Sequence, residues 1–152
     1  MKINLQDGLI TIIDGEDYER IKHLHWFYGV GNYYVGANLG NGKQVLLHRL
    51  IMETPKGLHT DHKNGNKLDN RKSNLRICTP SQNQFNSRKI IKKSSRFKGV
   101  SWYKRHKLWK AYIVKNGIQI HLGYFKCEEE AAKIYNAKAS ELFGKYCCLN
   151  EV

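Results

Sequence analysis

Apolar and polar positions alternate most regularly on either side of Asn116-Gly117. That dipeptide suits a two-residue turn with positive φ at both positions, and such a turn fixes the register of its flanking strands. Residue 115 then opposes 118, 113 opposes 120 and 111 opposes 122. Trp109, Ala111, Ile113, Ile120 and Leu122 fall on one face; Tyr112, Val114, Gln119 and His121 fall on the other. Phe97–Tyr103 reads as a third strand, with Val100 and Trp102 turned toward the same core. Trp102, Trp109 and Phe125 are expected to pack there. Ala131, Ile134, Tyr135, Ala139 and Leu142 recur at helical spacing and predict a covering helix over Glu128–Phe143. Three leading glutamates suit its positive N-terminal end, and Gly144 suits a left-handed stop. The pattern is a three-stranded antiparallel sheet packed on one helix, with one sheet face open.

The first half alternates less cleanly. Ile3–Leu5 and Leu9–Ile13 read as short strands, Asp14-Gly15 as a turn and Tyr18–Trp26 as a short helix. Asn41-Gly42 predicts a hairpin between Tyr33–Leu39 and Gln44–Leu50. His48 in that second run reads equally as a buried strand histidine or, with Arg49, as a phosphate contact. His23 and His25 read as structural. Leu58–His62 and Leu75–Cys78 read as strands around a turn-rich loop at Asn64-Gly65. Thr79, Pro80 and Gln82 then supply an N-cap, a first helical residue and the far end of a capping box. The order is strand, strand, helix, with Asn83 in the helix. His59 and His62 have opposite strand parity, which disfavours a shared metal site.

Charge changes this picture more than bulk composition does. The chain has 152 residues and a formal net charge of +13. Residues 1–86 hold 11 basic and 8 acidic side chains, 127–152 hold 3 and 5, and 87–126 hold 12 basic and none acidic. Folded surfaces normally mix signs to limit self-repulsion. A stretch without one carboxylate suits phosphate neutralisation with counterion release, and favours nucleic acid over an anionic membrane. Modules are expected at 1–86 and 97–152, joined by a basic, serine-containing connector at 87–96. No apolar run approaches the roughly 18–20 residues of a membrane-spanning helix, and the N-terminus lacks a signal-like apolar core. A cytoplasmic, non-secreted, nucleic-acid-associated protein is the expectation. Cys78, Cys127, Cys147 and Cys148 form no Cys-x-x-Cys pair and are expected as reduced thiols rather than zinc ligands.

Phosphodiester hydrolysis needs an activated water and a cation for the charge developing on the leaving oxygen. A histidine suits the base, and a neighbouring carboxylate suits a hard divalent ion. Asp61-His62, Asn74-Leu75-Arg76 and Asn83, with upstream Leu47-His48-Arg49-Leu50, resemble the HNH endonuclease family, closest to its homing-type branch of phages and bacteria. The resemblance covers about residues 45–86. It implies a ββα-metal fold, with His62 as general base, Asn74 orienting it, and Asp61 and Asn83 as ligands of one Mg2+ (or Mn2+). Asn83 stands where the signature often has histidine, which implies a weakly held ion completed by DNA phosphate. Asn64, Asn66 and Asn70 read as turn asparagines.

Residues 96–150 resemble the plant ethylene-response-factor DNA-binding domain, a fold also seen fused to HNH endonucleases. Phe97-Lys98-Gly99-Val100, Trp109-Lys110-Ala111, Leu122-Gly123-Tyr124-Phe125, Glu129-Glu130-Ala131-Ala132 and Leu142-Phe143-Gly144 carry it. It implies a sheet entering the major groove. Candidate contacts are then Ser101, Tyr103, Lys104, Arg105, Lys107, Lys110, Tyr112, Val114, Gln119 and His121, with Arg49, Arg71 and Arg76 in the first half. Ser101, Val114 and His121 depart from the arginine or tryptophan of plant domains, so the plant recognition sequence does not transfer. The whole reads as an α+β, site-selective endonuclease acting on double-stranded DNA, nicking or cutting both strands, as a monomer or homodimer. The alternatives are a non-catalytic sequence-specific regulator or a structured-RNA binder.

Overall fold

The computed structural model describes residues 1–31, 33–87 and 94–152, so most of the basic connector lies outside the described residues. The chain divides into two compact units, Met1–Asn83 and Gln84–Val152. Both are mixed α/β, built on small antiparallel sheets with few helices.

In the first unit β1 (Lys2–Asn4) and β2 (Ile10–Ile12) form a hairpin. A 3-10 turn at Gly15–Asp17 leads into α1 (Tyr18–Ile21). The expected helix over Tyr18–Trp26 thus stops early. Trp26 opens β3 (Trp26–Val30), and its buried indole N–H donates to the Ile21 carbonyl at 3.0 Å, closing the helix end with a side chain. β4 (Tyr34–Gly40) and β5 (Lys43–Leu46) complete a sheet ordered β3-β4-β5. Asn41 and Gly42 both have positive φ, as the expected turn requires. The strand expected over Gln44–Leu50 ends at Leu46, and α2 (Leu47–Ile51) follows. Leu47 and Ile51, four residues apart, both enter the core, so the local period is helical. His48 is therefore a buried helical residue, not a strand residue.

β6 (His59–His62) and β7 (Leu75–Cys78) pair antiparallel, with Asp61 opposite Arg76 and His62 opposite Leu75. α3 (Pro80–Phe85) follows. Its capping box is closed both ways: Thr79 N–H donates to Gln82 Oε1 (2.8 Å), and Gln82 N–H to Thr79 Oγ1 (3.2 Å). The core gathers Ile13, Ile21, Trp26, Val35, Leu47, Ile51 and Leu75. Truncating Leu47 to alanine there would cost about 2–5 kcal/mol.

The loop from Lys63 to Asn74 is tied down by the N-terminal hairpin. Ile12 N–H donates to Leu68 O (2.8 Å), and Asn70 N–H donates to Ile12 O (2.7 Å). Lys72 N–H donates to Asp14 Oδ2 at 2.7 Å. Chain remote in sequence thereby fixes the geometry beside His62.

The second unit contains β8 (Val100–Tyr103), β9 (Leu108–Lys115) and β10 (Ile118–Phe125), ordered β10-β9-β8 and covered by α4 (Glu128–Phe143). The predicted register holds from Ile118↔Lys115 to His121↔Tyr112. A bulge at Leu122 then sets Ala111 opposite Gly123 rather than Leu122. One further expectation fails, and another holds in part. Ile134 is 41% exposed, because the buried stripe of α4 centres on Ala131, Ala132, Tyr135, Ala139 and Phe143. Trp102 keeps the expected face, opposite Trp109 and two residues from buried Val100, but on the edge strand it stays 37% exposed, edge-on against Trp109. Gly99 has φ +72° where the helix closes on the sheet, and a Cβ there would lie 2.0 Å from the Tyr135 ring.

Candidate active site

Strand alternation divides the chemistry of β6 between two faces. Thr60 and His62 point one way, His59 and Asp61 the other. Both Asp61 and His62 are buried, with His62 3% exposed.

On the His62 face a directed chain of hydrogen bonds fixes the imidazole. Thr11 Oγ1 donates to Leu68 O (2.8 Å), and Asn70 Nδ2 donates to Thr11 Oγ1 (2.8 Å) and Lys67 O (3.2 Å). Those bonds orient the Asn70 amide, leaving Oδ1 as the atom 3.0 Å from His62 Nε2. An amide oxygen only accepts, so Nε2 carries the proton and the basic lone pair belongs to Nδ1. Asn70 is fully buried. Around the ring stand Tyr34, stacked at 6.0 Å, and His48, edge-on at 5.1 Å. Burial lowers the His62 pKa below its ordinary 6.5, and nearby Lys67 adds to this; the Asn70 bond and the charges of Asp61 and Asp69 oppose it. His62 is thus a neutral imidazole at neutral pH. His48 is pushed down to about 3, by burial first and then by His62, Arg49 and Lys67. Its buried Nδ1 has no hydrogen-bond partner among the described residues.

On the opposite face Asp61 Oδ2 accepts from Arg76 Nε (2.8 Å) and a terminal Arg76 nitrogen (2.5 Å), both side chains largely buried. The Asn83 amide donates to His59 Nδ1 at 3.2 Å. Asn74, the other expected site residue, holds the loop. Its Oδ1 accepts from Asn64 N–H (3.1 Å), and its Nδ2 donates to Asp69 O (2.8 Å). The asparagine that meets the imidazole is Asn70.

Of the expected DNA contacts in this unit, Arg49 donates to Leu58 O (2.8 Å), Arg71 grips Asp69 with two 2.8 Å bonds, and Arg76 is committed to Asp61. The Arg71 hydrogen bonds, aided by its charge, hold the Asp69 carboxyl below its ordinary pKa. In the second unit Val114, Gln119 and His121 are exposed on the sheet face away from α4, with Ser101, Tyr103, Lys110 and Tyr112 partly so. Lys104, Arg105 and Lys107 lie exposed in the β8–β9 turn. The bulge brings one more residue to this face: Tyr124, with its ring 4.5 Å from His121 and 5.3 Å from Tyr103.

Sequence reasoning missed Asn70, Thr11, Tyr34 and Tyr124, and left His48 ambiguous. Asn70 sits in an asparagine-rich loop where any one reads as a turn former, and its key partner is 59 residues away. The helical spacing of Leu47 and Ile51 was the available signal for His48.

The HNH endonuclease family pattern matches residues 45–85, from β5 through α3. An uncharacterized HNH endonuclease of Acanthamoeba polyphaga mimivirus is 35% identical over 151 residues, covering 95% of this chain and 76% of that protein. The chain belongs to the HNH endonuclease family. This HNH endonuclease is also 33% identical to protein 3.8 of Escherichia phage T7 over 92 residues, 60% of this chain and 75% of the phage protein. A prophage-derived protein of Bacillus subtilis (strain 168), whose name includes HNH homing endonuclease, is 36% identical over 80 residues, covering 53% of this chain and 42% of that protein. No solved structure matches it. The protein is accordingly a nuclease, and nucleases of the family generally depend on a divalent metal ion. Among the described residues no three His, Cys, Asp or Glu side chains gather as a metal cage. Asp61 and the Asn83 amide, the latter beside β6 through His59, offer oxygen donors of the type that can hold a hard divalent ion.

Proposed function

We propose that this protein is a metal-dependent DNA endonuclease whose general base is the neutral, Nε2-protonated His62. The reading is carried by the bond chain Leu68–Thr11–Asn70–His62, which commits Nδ1 as the proton acceptor. A base must be unprotonated before it acts, and burial keeps His62 so at neutral pH. His62 Nδ1 removes a proton from a water molecule as that water attacks phosphorus, and Asn70 holds the ring while the imidazolium forms. Asn74 acts one step back, closing the loop that carries Asn70. Asp61 and Asn83 would hold the divalent ion in a ββα-metal arrangement of β6, β7 and α3. When bound, that ion supplies positive charge against the charge developing on the leaving oxygen.

The second unit is proposed to hold double-stranded DNA in the manner of an ethylene-response-factor domain. The exposed sheet face and the acid-free run 87–126 support this. Lys104, Arg105, Lys107 and Lys110 suit phosphates, while Tyr112, Gln119 and His121 suit base edges. This division of labour fits a site-selective, homing-type enzyme. One set of candidate catalytic residues per chain fits nicking by a monomer, or a double-strand break by a homodimer.

The test is cleavage of supercoiled plasmid carrying the cognate site, with Mg2+ or Mn2+. Wild type should give nicked or linear product, and His62→Ala or EDTA should suppress it. Metal-dependent cutting that survives in His62→Ala would remove the assigned base. Binding without cutting by wild type would make the protein a DNA-binding regulator.

A further inference from the structure

We propose that His59 is a third protein ligand of the metal ion, completing with Asp61 and Asn83 a site of one nitrogen and two oxygens. The proposal rests on the reading that Asp61 and Asn83 bind the ion.

Three observations carry it. His59 and Asp61 are two residues apart on β6, so their side chains leave the same face, with Cα atoms about 6.5–7 Å apart. His62, whose parity is opposite, does not share that face. Second, His59 Nδ1 lies 3.2 Å from the Asn83 amide nitrogen. An amide NH2 only donates, so Nδ1 accepts and its lone pair is aimed at Asn83. Two ligand atoms at right angles around one ion, each about 2.1 Å from it, sit roughly 3 Å apart. The Asn83–His59 contact already has that spacing. Rotating the amide by half a turn replaces nitrogen with Oδ1 and leaves two donor atoms facing one point. Third, His59 is exposed and Asn83 partly so, whereas Asp61 is buried against Arg76. The open side of the site is therefore the His59–Asn83 side, where an ion and a phosphate would enter.

An imidazole ligand changes which ions the site favours. Mg2+ prefers oxygen, while Mn2+, Co2+ and Ni2+ accept nitrogen with affinity rising in that order. The His59 assignment predicts tighter binding of these ions than an aspartate and an asparagine alone would give.

The experiment is pulsed electron paramagnetic resonance of Mn2+ bound to the full chain labelled with 15N-histidine, beside calorimetric titration with Mn2+ and Co2+. Wild type should show coupling from a directly bound imidazole nitrogen. His59→Ala should lose that coupling and weaken Co2+ binding by at least the roughly 10-fold that loss of an outer-shell partner costs. His62→Ala should keep the coupling. Because His59 is exposed, His59→Ala should retain the wild-type circular dichroism spectrum. Mn2+ binding that depends on Asp61 but shows no imidazole coupling, or coupling that survives in His59→Ala, would overturn the His59 assignment and leave the metal site standing. Mn2+ affinity unaltered in Asp61→Ala would instead overturn the metal site itself, and His59 with it.

Discussion

Replacing Asn70 isolates the link between fold and chemistry. In Asn70→Ala, His62 Nε2–H loses its acceptor, while Thr11 Oγ1 and Lys67 O lose a donor, in a region where His62 and Thr11 are almost wholly buried. Each buried polar group left without a partner costs about 1–3 kcal/mol, and three lose one here, so a loss of at least about 3 kcal/mol in folding stability is expected. The larger effect should fall on turnover. With the ring free to rotate or change tautomer, the base contribution, about 10²–10⁴-fold, should largely disappear from kcat while KM stays near wild type. Asn70→Asp supplies the control. It keeps an acceptor for Nε2 but adds negative charge, which favours the imidazolium and raises the His62 pKa. Since the neutral ring is the active form, the rising limb of the kcat–pH profile should move to higher pH, with turnover recovered above it. The assay is steady-state plasmid nicking across pH, with urea melts of each variant. Asn70→Ala that folds and retains wild-type kcat and pH profile would refute the bond chain as the source of His62 orientation.

Acid should destabilise the first unit through its histidines. The His48 pKa falls from 6.5 unfolded to about 3 folded, so between those values the unfolded state binds more protons and stability drops as pH falls. Urea melts should show this decline, up to about 1.4 kcal/mol per pH unit for one such group, and His48→Phe should flatten it; an equally steep decline in the variant would contradict the assignment. Arg76→Met strips the partner from buried Asp61 and should cost about 3–5 kcal/mol in metal-free protein; a loss under 1 kcal/mol in urea melts would mean the pair contributes little. Gly99→Ala must place a methyl group into Tyr135 at positive φ, so its melting temperature should fall steeply, and an unchanged one would contradict the close approach of β8 to α4. Gln119→Ala combined with His121→Ala should weaken binding to cognate duplex by fluorescence anisotropy without altering Mn2+ affinity; unchanged DNA affinity and specificity would remove the sheet as the reading face.

Elements with strictly local causes were legible in the sequence. The Asn116-Gly117 turn fixes its own register for four residue pairs, and Thr79 and Gln82 close their own capping box. α4 ends where its glutamates and Gly144 predicted. What failed depended on distant partners. Trp26 leaves the helical pattern to cap Ile21, and Leu122 bulges while packing against core residues from both the sheet and α4. The candidate site divides the same way. Asp61, His62 and Asn83 stand out by order and spacing, but the atom that holds the imidazole comes from Asn70, one of several equivalent-looking asparagines. Only the placement of Thr11 by the N-terminal hairpin distinguishes it.

The direct test of the central claim is the protonation state of His62 itself, read from 15N shifts of the histidine rings at pH 7 and assigned by comparison with His62→Ala. Nε2 should appear protonated and Nδ1 unprotonated, with the ring titrating at lower pH than an ordinary histidine. An imidazolium at pH 7, or the proton on Nδ1, would contradict His62 as the base held by Asn70.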